Sequence, residues 1–222
     1  IMPGETVGII GGTGSGKSTL VNLIPRFYDV SSGEILIDGV NVRKYPFSAL
    51  RGQIGMVPQE AVLFSGTIES NLRFAYRDAT QEEMEKALKI AQAYEFVSAL
   101  PQGIQSPVNQ GGKNFSGGQK QRLTIARALV GGPRILILDD SASALDFATD
   151  AALRKSIQRE TSGITVLMVS QRASTIRRAD KIIVLDDGEI AGIGTHEQLM
   201  ESCRIYQEIC LSQLSRDEVS KK

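Results

Sequence analysis

The segment Gly11-Gly12-Thr13-Gly14-Ser15-Gly16-Lys17-Ser18-Thr19 spaces its glycines, lysine and hydroxyls as G-x-x-x-x-G-K-[ST]. Glycines let backbone N–H groups curl around an anion without a Cβ in the way, and a helix that starts at the lysine adds its positive end. Lys17 is placed to reach the β and γ phosphates of a nucleotide, and the Ser18 hydroxyl to ligate magnesium. The pattern predicts a nucleoside triphosphate with Mg2+ as ligand. Much later in the chain, Ile135-Leu136-Ile137-Leu138 runs into Asp139 and Asp140. An acid that closes a buried strand downstream of a phosphate loop suits a magnesium held through water, because Mg2+ keeps much of its hydration shell. Asp139 takes that part, and Asp140 is left to be explained.

The elements that must position these residues are legible from hydrophobic pattern. A strand is expected over residues 6–10, immediately before the phosphate loop, and further strands over 34–38, 54–58, 135–139, 164–170, 181–186 and 189–194. The runs at 135–139 and 164–170 are apolar almost throughout, as parallel strands buried on both faces are. A helix is expected from Thr80, which stands three residues before Glu83 as in a capping box, and another from Ser116 to the Gly131-Gly132-Pro133 breaker. The expected fold is α/β: a phosphate-loop NTPase core with a mostly parallel sheet, an antiparallel β part that is incomplete at the N-terminus, and a helical insert. A single domain over 1–222 is divided into a core at 1–65 and 132–222 and a helical subdomain at 66–131.

The 222 residues carry 25 basic and 25 acidic side chains, so there is no formal net charge and no broad electrostatic grip on nucleic acid or an anionic membrane. No apolar run approaches the roughly 18 residues of a membrane span, and no signal peptide leads the chain. The strand at Thr6 starts in mid-sheet, which points to sequence N-terminal to Ile1. Cys203 and Cys210, seven apart, read as two reduced thiols on a C-terminal helix. His196, the one histidine, sits in a helix-start context and reads as structural or solvated.

Residues 114–129 narrow the large class of phosphate-loop proteins. Phe115-Ser116-Gly117-Gly118-Gln119 resembles the signature motif of ATP-binding cassette (ABC) domains, and a Ser-Gly-Gly turn opening a helix offers N–H groups and a hydroxyl to a phosphate. Gln59 matches the family's Q-loop glutamine, Ser143 to Asp146 its D-loop, and residues 63–72 a segment typical of ABC exporters. The resemblance covers the whole chain. It implies ATP and Mg2+ as cofactors, with residues 11–19 and Gln59 on the chain's own ATP, and Ser18, Gln59 and Asp139 on the metal. It further implies a head-to-tail pair in which Phe115 to Gln119 contact the nucleotide of a second cassette. A transmembrane domain outside this chain, a place at the cytoplasmic face of the membrane and adenine preference also follow from the resemblance alone.

Three departures from the family pattern bear on chemistry. Asp140 stands where a catalytic glutamate is usual, Gln171 where a switch histidine is usual, and Gln110 where the loop before the signature carries a glutamate. Lys17, Asp140, Gln171 and Gln59 are therefore the candidate catalytic set. Aspartate withdraws the carboxylate by one methylene, and the Gln171 amide can donate a hydrogen bond but cannot become cationic. The expectation is a site that binds ATP and turns it over slowly, paired with a non-identical partner whose site this chain's signature completes. The alternatives are a largely non-hydrolytic ATP-binding module and a soluble ABC protein of translation or DNA repair; the second would favour paired cassettes, basic linkers or a coiled-coil insert.

Overall fold

The computed structural model describes residues 1–141, 144–160 and 163–219. In chain order the elements are β1 (Thr6–Gly11), α1 (Lys17–Leu23), β2 (Leu36–Ile37), β3 (Val40–Asn41), α2 (Phe47–Gly52), β4 (Ile54–Val57), β5 (Gly66–Thr67), α3 (Ile68–Arg73), α4 (Gln81–Ile90) and α5 (Tyr94–Ser98). They continue with β6 (Pro107–Val108), α6 (Gly117–Leu129), β7 (Ile135–Asp139), α7 (Phe147–Glu160), β8 (Thr165–Val169), α8 (Ala173–Ile176), β9 (Lys181–Asp186), β10 (Glu189–Gly194), α9 (His196–Ser202) and α10 (Arg204–Val219). The chain divides into two compact units: residues 1–51, 137–140 and 165–222 form one, residues 52–136 and 141–164 the other.

In the first unit the strands run in the order β10-β9-β1-β8-β7. β1 is parallel to both neighbours, with Val7 opposite Leu167 and Lys181, and Ile9 opposite Val169 and Ile183. Val7, Ile9 and Ile10 are fully buried, as are Ile137, Ile182 and Val184, which is what a central parallel sheet covered on both faces requires. β10 closes the edge antiparallel to β9, and β2 pairs antiparallel with β3. The α/β phosphate-loop fold, mostly parallel with antiparallel additions, is thus as the sequence pattern requires. The expected strand at 34–38 is only two residues long, because Asp38 and Gly39 turn the chain at once with positive φ.

The second unit is mainly helical. α6 buries Gln121, Leu123, Thr124, Ile125, Ala126 and Leu129 against α3, α4 and β4. Its start is fixed by a capping box: the Gln119 N–H donates to Ser116 Oγ at 3.2 Å and the Ser116 N–H to Gln119 Oε1 at 2.9 Å. α4 has the same device in Thr80 and Glu83. Asn71, 3% exposed, braces the exporter-like segment, accepting from the Phe64 N–H at 2.8 Å and donating to Phe64 O at 2.8 Å and Thr67 O at 2.9 Å.

Cys203 corrects the reading of a thiol pair on one helix: it is the residue that ends α9, and only Cys210 lies on α10. Both thiols are free and buried. Among the described residues no helix is long and apolar enough to cross a membrane.

Candidate functional site

The phosphate loop leaves β1 at Gly11, where only glycine fits: a Cβ there would lie 2.1 Å from Leu185 O and 2.6 Å from Ser15 Oγ. It enters α1 at Gly16, which holds the left-handed conformation with φ 90°. A Cβ on Gly12 or Gly14 would meet nothing within 4 Å, so the loop borders open space that a side chain would otherwise fill. α1 has neither a side-chain cap nor an acid in its first turn, which leaves its positive end to a ligand.

Lys17 is 8% exposed and its ammonium is folded back on the loop. It donates to Gly12 O at 2.6 Å, Gly11 O at 3.0 Å and Ser15 Oγ at 3.2 Å. Burial pushes the ammonium pKa down, while the charges of Asp140 and Asp139 hold it up. Ser18 Oγ donates to Asp139 Oδ1 at 3.0 Å, so a hydroxyl and a carboxylate 121 residues apart meet beside the loop. Hard oxygen donors of this kind suit Mg2+. Asp139 is 5% exposed, and burial pushes its carboxyl up against the opposing pull of Ser18 and Lys17. Thr13 and Thr19 lie on the loop and in the first turn of α1, both exposed.

Asp140 differs from a simple strand-end acid in two ways. Its φ is 45°, a left-handed backbone that aspartate tolerates better than most residues, and its N–H donates to Val169 O at 3.0 Å. Burial and then the neighbouring Asp139 charge push the carboxyl up, and the Gln171 N–H, Arg172 and Lys17 pull it down. The structure therefore brings Lys17, Ser18, Asp139, Asp140 and the Gln171 backbone together in the first unit. The Gln171 residue itself is exposed.

Gln59 is exposed in the loop that follows β4, in the second unit. In the same unit Phe115 is buried with an edge contact to Phe96, ring centroids 6.4 Å apart, while Ser116 and Gly117 are exposed at the start of α6. The Ser116 hydroxyl serves as acceptor in the capping box, and its own proton is left to donate. Gly118 lies beside the chain at Ala144, whose carbonyl oxygen would be 3.3 Å from a Cβ. Gln110 is exposed ahead of Gly111, whose φ is 66°. Ser143 lies outside the described residues. Asp146 accepts from Thr149 N at 2.9 Å and Thr149 Oγ1 at 2.7 Å, opening α7. His196 is structural, its Nδ1 2.9 Å from the Tyr206 hydroxyl. The sequence pattern missed Gln213, whose amide bonds the main chain at Gln171 and Ala173; its only signal is its helical register with Cys210 and Tyr206.

A glycine loop between a buried strand and a helix, with a strand-end acid bonded to the helix's first hydroxyl, defines a phosphate-loop nucleotide-binding protein. The family model described as ABC transporter matches residues 1–143, and the chain belongs to that family. It is 49% identical over 214 residues to an uncharacterised ABC transporter ATP-binding protein of Mycobacterium tuberculosis, covering 95% of this chain and 36% of that protein. It is 47% identical over 215 residues to another of Bacillus subtilis, covering 97% of this chain and 37% of the other. A solved bacterial Atm1-family ABC exporter with ATP bound superposes with a TM-score of 0.91 at 39% identity, over 95% of this chain and 37% of that one. The chain thus spans little more than a third of the relatives it matches.

Proposed function

We propose that this chain is the ATP-binding domain of an ABC exporter, acting at the cytoplasmic face of a membrane, and that its own nucleotide site turns over slowly. The observation that carries the reading is the convergence of Lys17, Ser18 and Asp139 at the phosphate loop, with Asp140 and Gln171 beside them. Residues 11–19 would bind the triphosphate of ATP, with Gln59 reaching it from the Q-loop. Lys17 exchanges its bonds to the loop carbonyls for the β and γ phosphates. Ser18, Asp139 and Gln59 would hold Mg2+, which supplies charge stabilisation to the phosphates when bound. Asp140 is the group left to orient the attacking water, and the Gln171 amide to bond the γ-phosphate.

Residues 66–131 form the helical subdomain in this reading, and the rest of the chain the core. Phe115 to Gln119 serve the nucleotide of a second, non-identical ABC domain packed head to tail. The transmembrane domain belongs to the part of the relatives' length outside this chain. A largely non-hydrolytic role is favoured by one observation: Asp140 is held in a left-handed backbone at φ 45° with its N–H bonded to Val169 O. Photo-crosslinking of labelled ATP to this chain in the full-length assembly tests the reading. Label that stays ATP while the partner's is hydrolysed supports it; label converted to ADP at the partner's rate contradicts it.

A stability prediction follows from the buried carboxylates. Asp139→Asn makes the domain more resistant to unfolding without nucleotide, because one of two adjacent buried charges is removed. Wild-type protein gains about 2.7 kcal/mol from Mg-ATP at 100 times its Kd, and the variant loses most of the Mg-dependent part. Thermal unfolding with and without Mg2+ at fixed ATP measures both effects, and a variant stabilised like wild type removes Asp139 from the metal site.

A further inference from the structure

Tyr206, Cys210 and Gln213 follow one another on α10 at spacings of four and three, a single stripe on the helix surface. Tyr206 and Cys210 are buried in the cluster that holds Ala173, Ile176, Ile182, Val184 and Cys203, with Tyr206 fully enclosed and tied to His196. The stripe therefore packs against α8 and β9, and its continuation carries Gln213 to the loop that joins β8 to α8.

There the Gln213 amide uses both of its functions. Nε2 donates to Gln171 O at 2.6 Å, and Oε1 accepts from the Ala173 N–H at 2.8 Å. Giving to one residue and taking from the second one along reproduces the hydrogen-bond pattern of a paired strand. It also supplies a missing cap, because Arg172 makes no side-chain cap bond for α8. The Arg172 N–H is held as well, donating to Ser170 Oγ at 3.0 Å, and the Asp140 N–H donates to Val169 O at 3.0 Å, where the loop begins. The loop thus meets the C-terminal helix on one side, through Gln171 O, and Asp140 on the other, through Val169 O.

We propose that Gln213 is a positioning residue for the nucleotide site. It sets the main-chain conformation of residues 171–173 beside Asp140, so that the seating of α10 controls turnover and leaves nucleotide affinity alone. The consequence for turnover rests on the proposed roles of Gln171 and Asp140; the clamp itself does not. α8 has no slack to absorb a displaced loop, since a Cβ on Gly8 of β1 would already lie 2.7 Å from Ile176 Cβ.

The test uses the full-length protein in its assembly and two variants. Gln213→Leu removes both bonds, and Gln213→Glu keeps an acceptor for the Ala173 N–H while losing the donor to Gln171 O. Amide hydrogen exchange at 171–173 is expected to accelerate about fivefold to thirtyfold in the leucine variant, the effect of one to two lost hydrogen bonds. The glutamate variant keeps protection at Ala173. In the otherwise wild-type chain, the leucine variant is expected to lower single-turnover hydrolysis of this chain's own ATP about tenfold, with the affinity for ATP within about twofold. Unchanged exchange at 171–173 overturns the proposal, and so does faster exchange spread through β8, β9 and α9, which marks general packing. Fast wild-type hydrolysis at this site would instead overturn the slow-site reading and leave the exchange result standing.

Discussion

Replacing Asp140 by glutamate is expected to raise single-turnover hydrolysis of this chain's own ATP by about 10²–10⁴-fold, the range contributed by a well-placed acid–base group. That corresponds to roughly 3–5 kcal/mol of barrier. A base acts on the attacking water from about 2.6–3.2 Å, and aspartate falls short by one methylene on the same backbone. The structure adds a second reason. The Asp140 N–H donates to Val169 O at 3.0 Å, which ties its backbone to the end of β8. Glutamate on that fixed backbone has the length to extend further toward the phosphate. The left-handed backbone at φ 45° suits aspartate better than glutamate, so the variant is expected to be less stable by up to about 1–2 kcal/mol. Denaturant unfolding measures that loss, and rapid-quench assays at saturating Mg-ATP measure the rate. ATP affinity within about twofold of wild type is part of the expected result, since Lys17 and the loop are untouched. An unchanged rate would remove Asp140 from the chemistry.

The signature gives the second large effect, and it falls on a different nucleotide. In the proposed head-to-tail assembly, Ser116→Arg is expected to cut steady-state hydrolysis about 10²–10³-fold, the loss that accompanies removal of a preorganised donor to developing charge. Ser116 is the N-cap of α6, a helix of 13 residues whose positive end it exposes together with the N–H groups of Gly117 and Gly118. Arginine there removes the hydroxyl and fills the space next to the two glycines. Loss of the cap costs the domain about 1 kcal/mol, so it stays folded. Ser116→Thr keeps a capping hydroxyl and is expected to retain most of the activity. ATP bound to this chain's own phosphate loop is unaffected in either variant. Full steady-state turnover by the arginine variant would show that this signature completes no active site.

What the sequence made legible is what depends on neighbours along the chain. The phosphate loop, the strand before it, the capping box at Thr80 and the helix start at Ser116 are contiguous patterns, and each appears where its spacing places it. The pairing of Ser18 with Asp139 was also within reach, because a strand-end acid and a loop hydroxyl share one chemistry. The remaining features depend on tertiary approach. Nothing in the run Leu138-Asp139-Asp140 announces that the second aspartate adopts positive φ or that its N–H meets the main-chain oxygen of Val169. The Gln213 clamp joins a glutamine side chain to backbone groups 40 and 42 residues away, and backbone acceptors leave no mark in sequence. Cys203 looked like part of a continuous C-terminal helix because its spacing from Cys210 is helical; the extended backbone at Cys203, φ −117° and ψ 101°, ends α9 before α10 begins.

The central claim is that this chain holds ATP without consuming it at the pace of its partner. The direct measurement is a single-turnover experiment on the full-length assembly, with labelled nucleotide cross-linked to each chain and identified as ATP or ADP over time. The account predicts that nucleotide on this chain stays ATP at least about 100 times longer than nucleotide on the partner. Conversion to ADP on both chains at equal rates would contradict it.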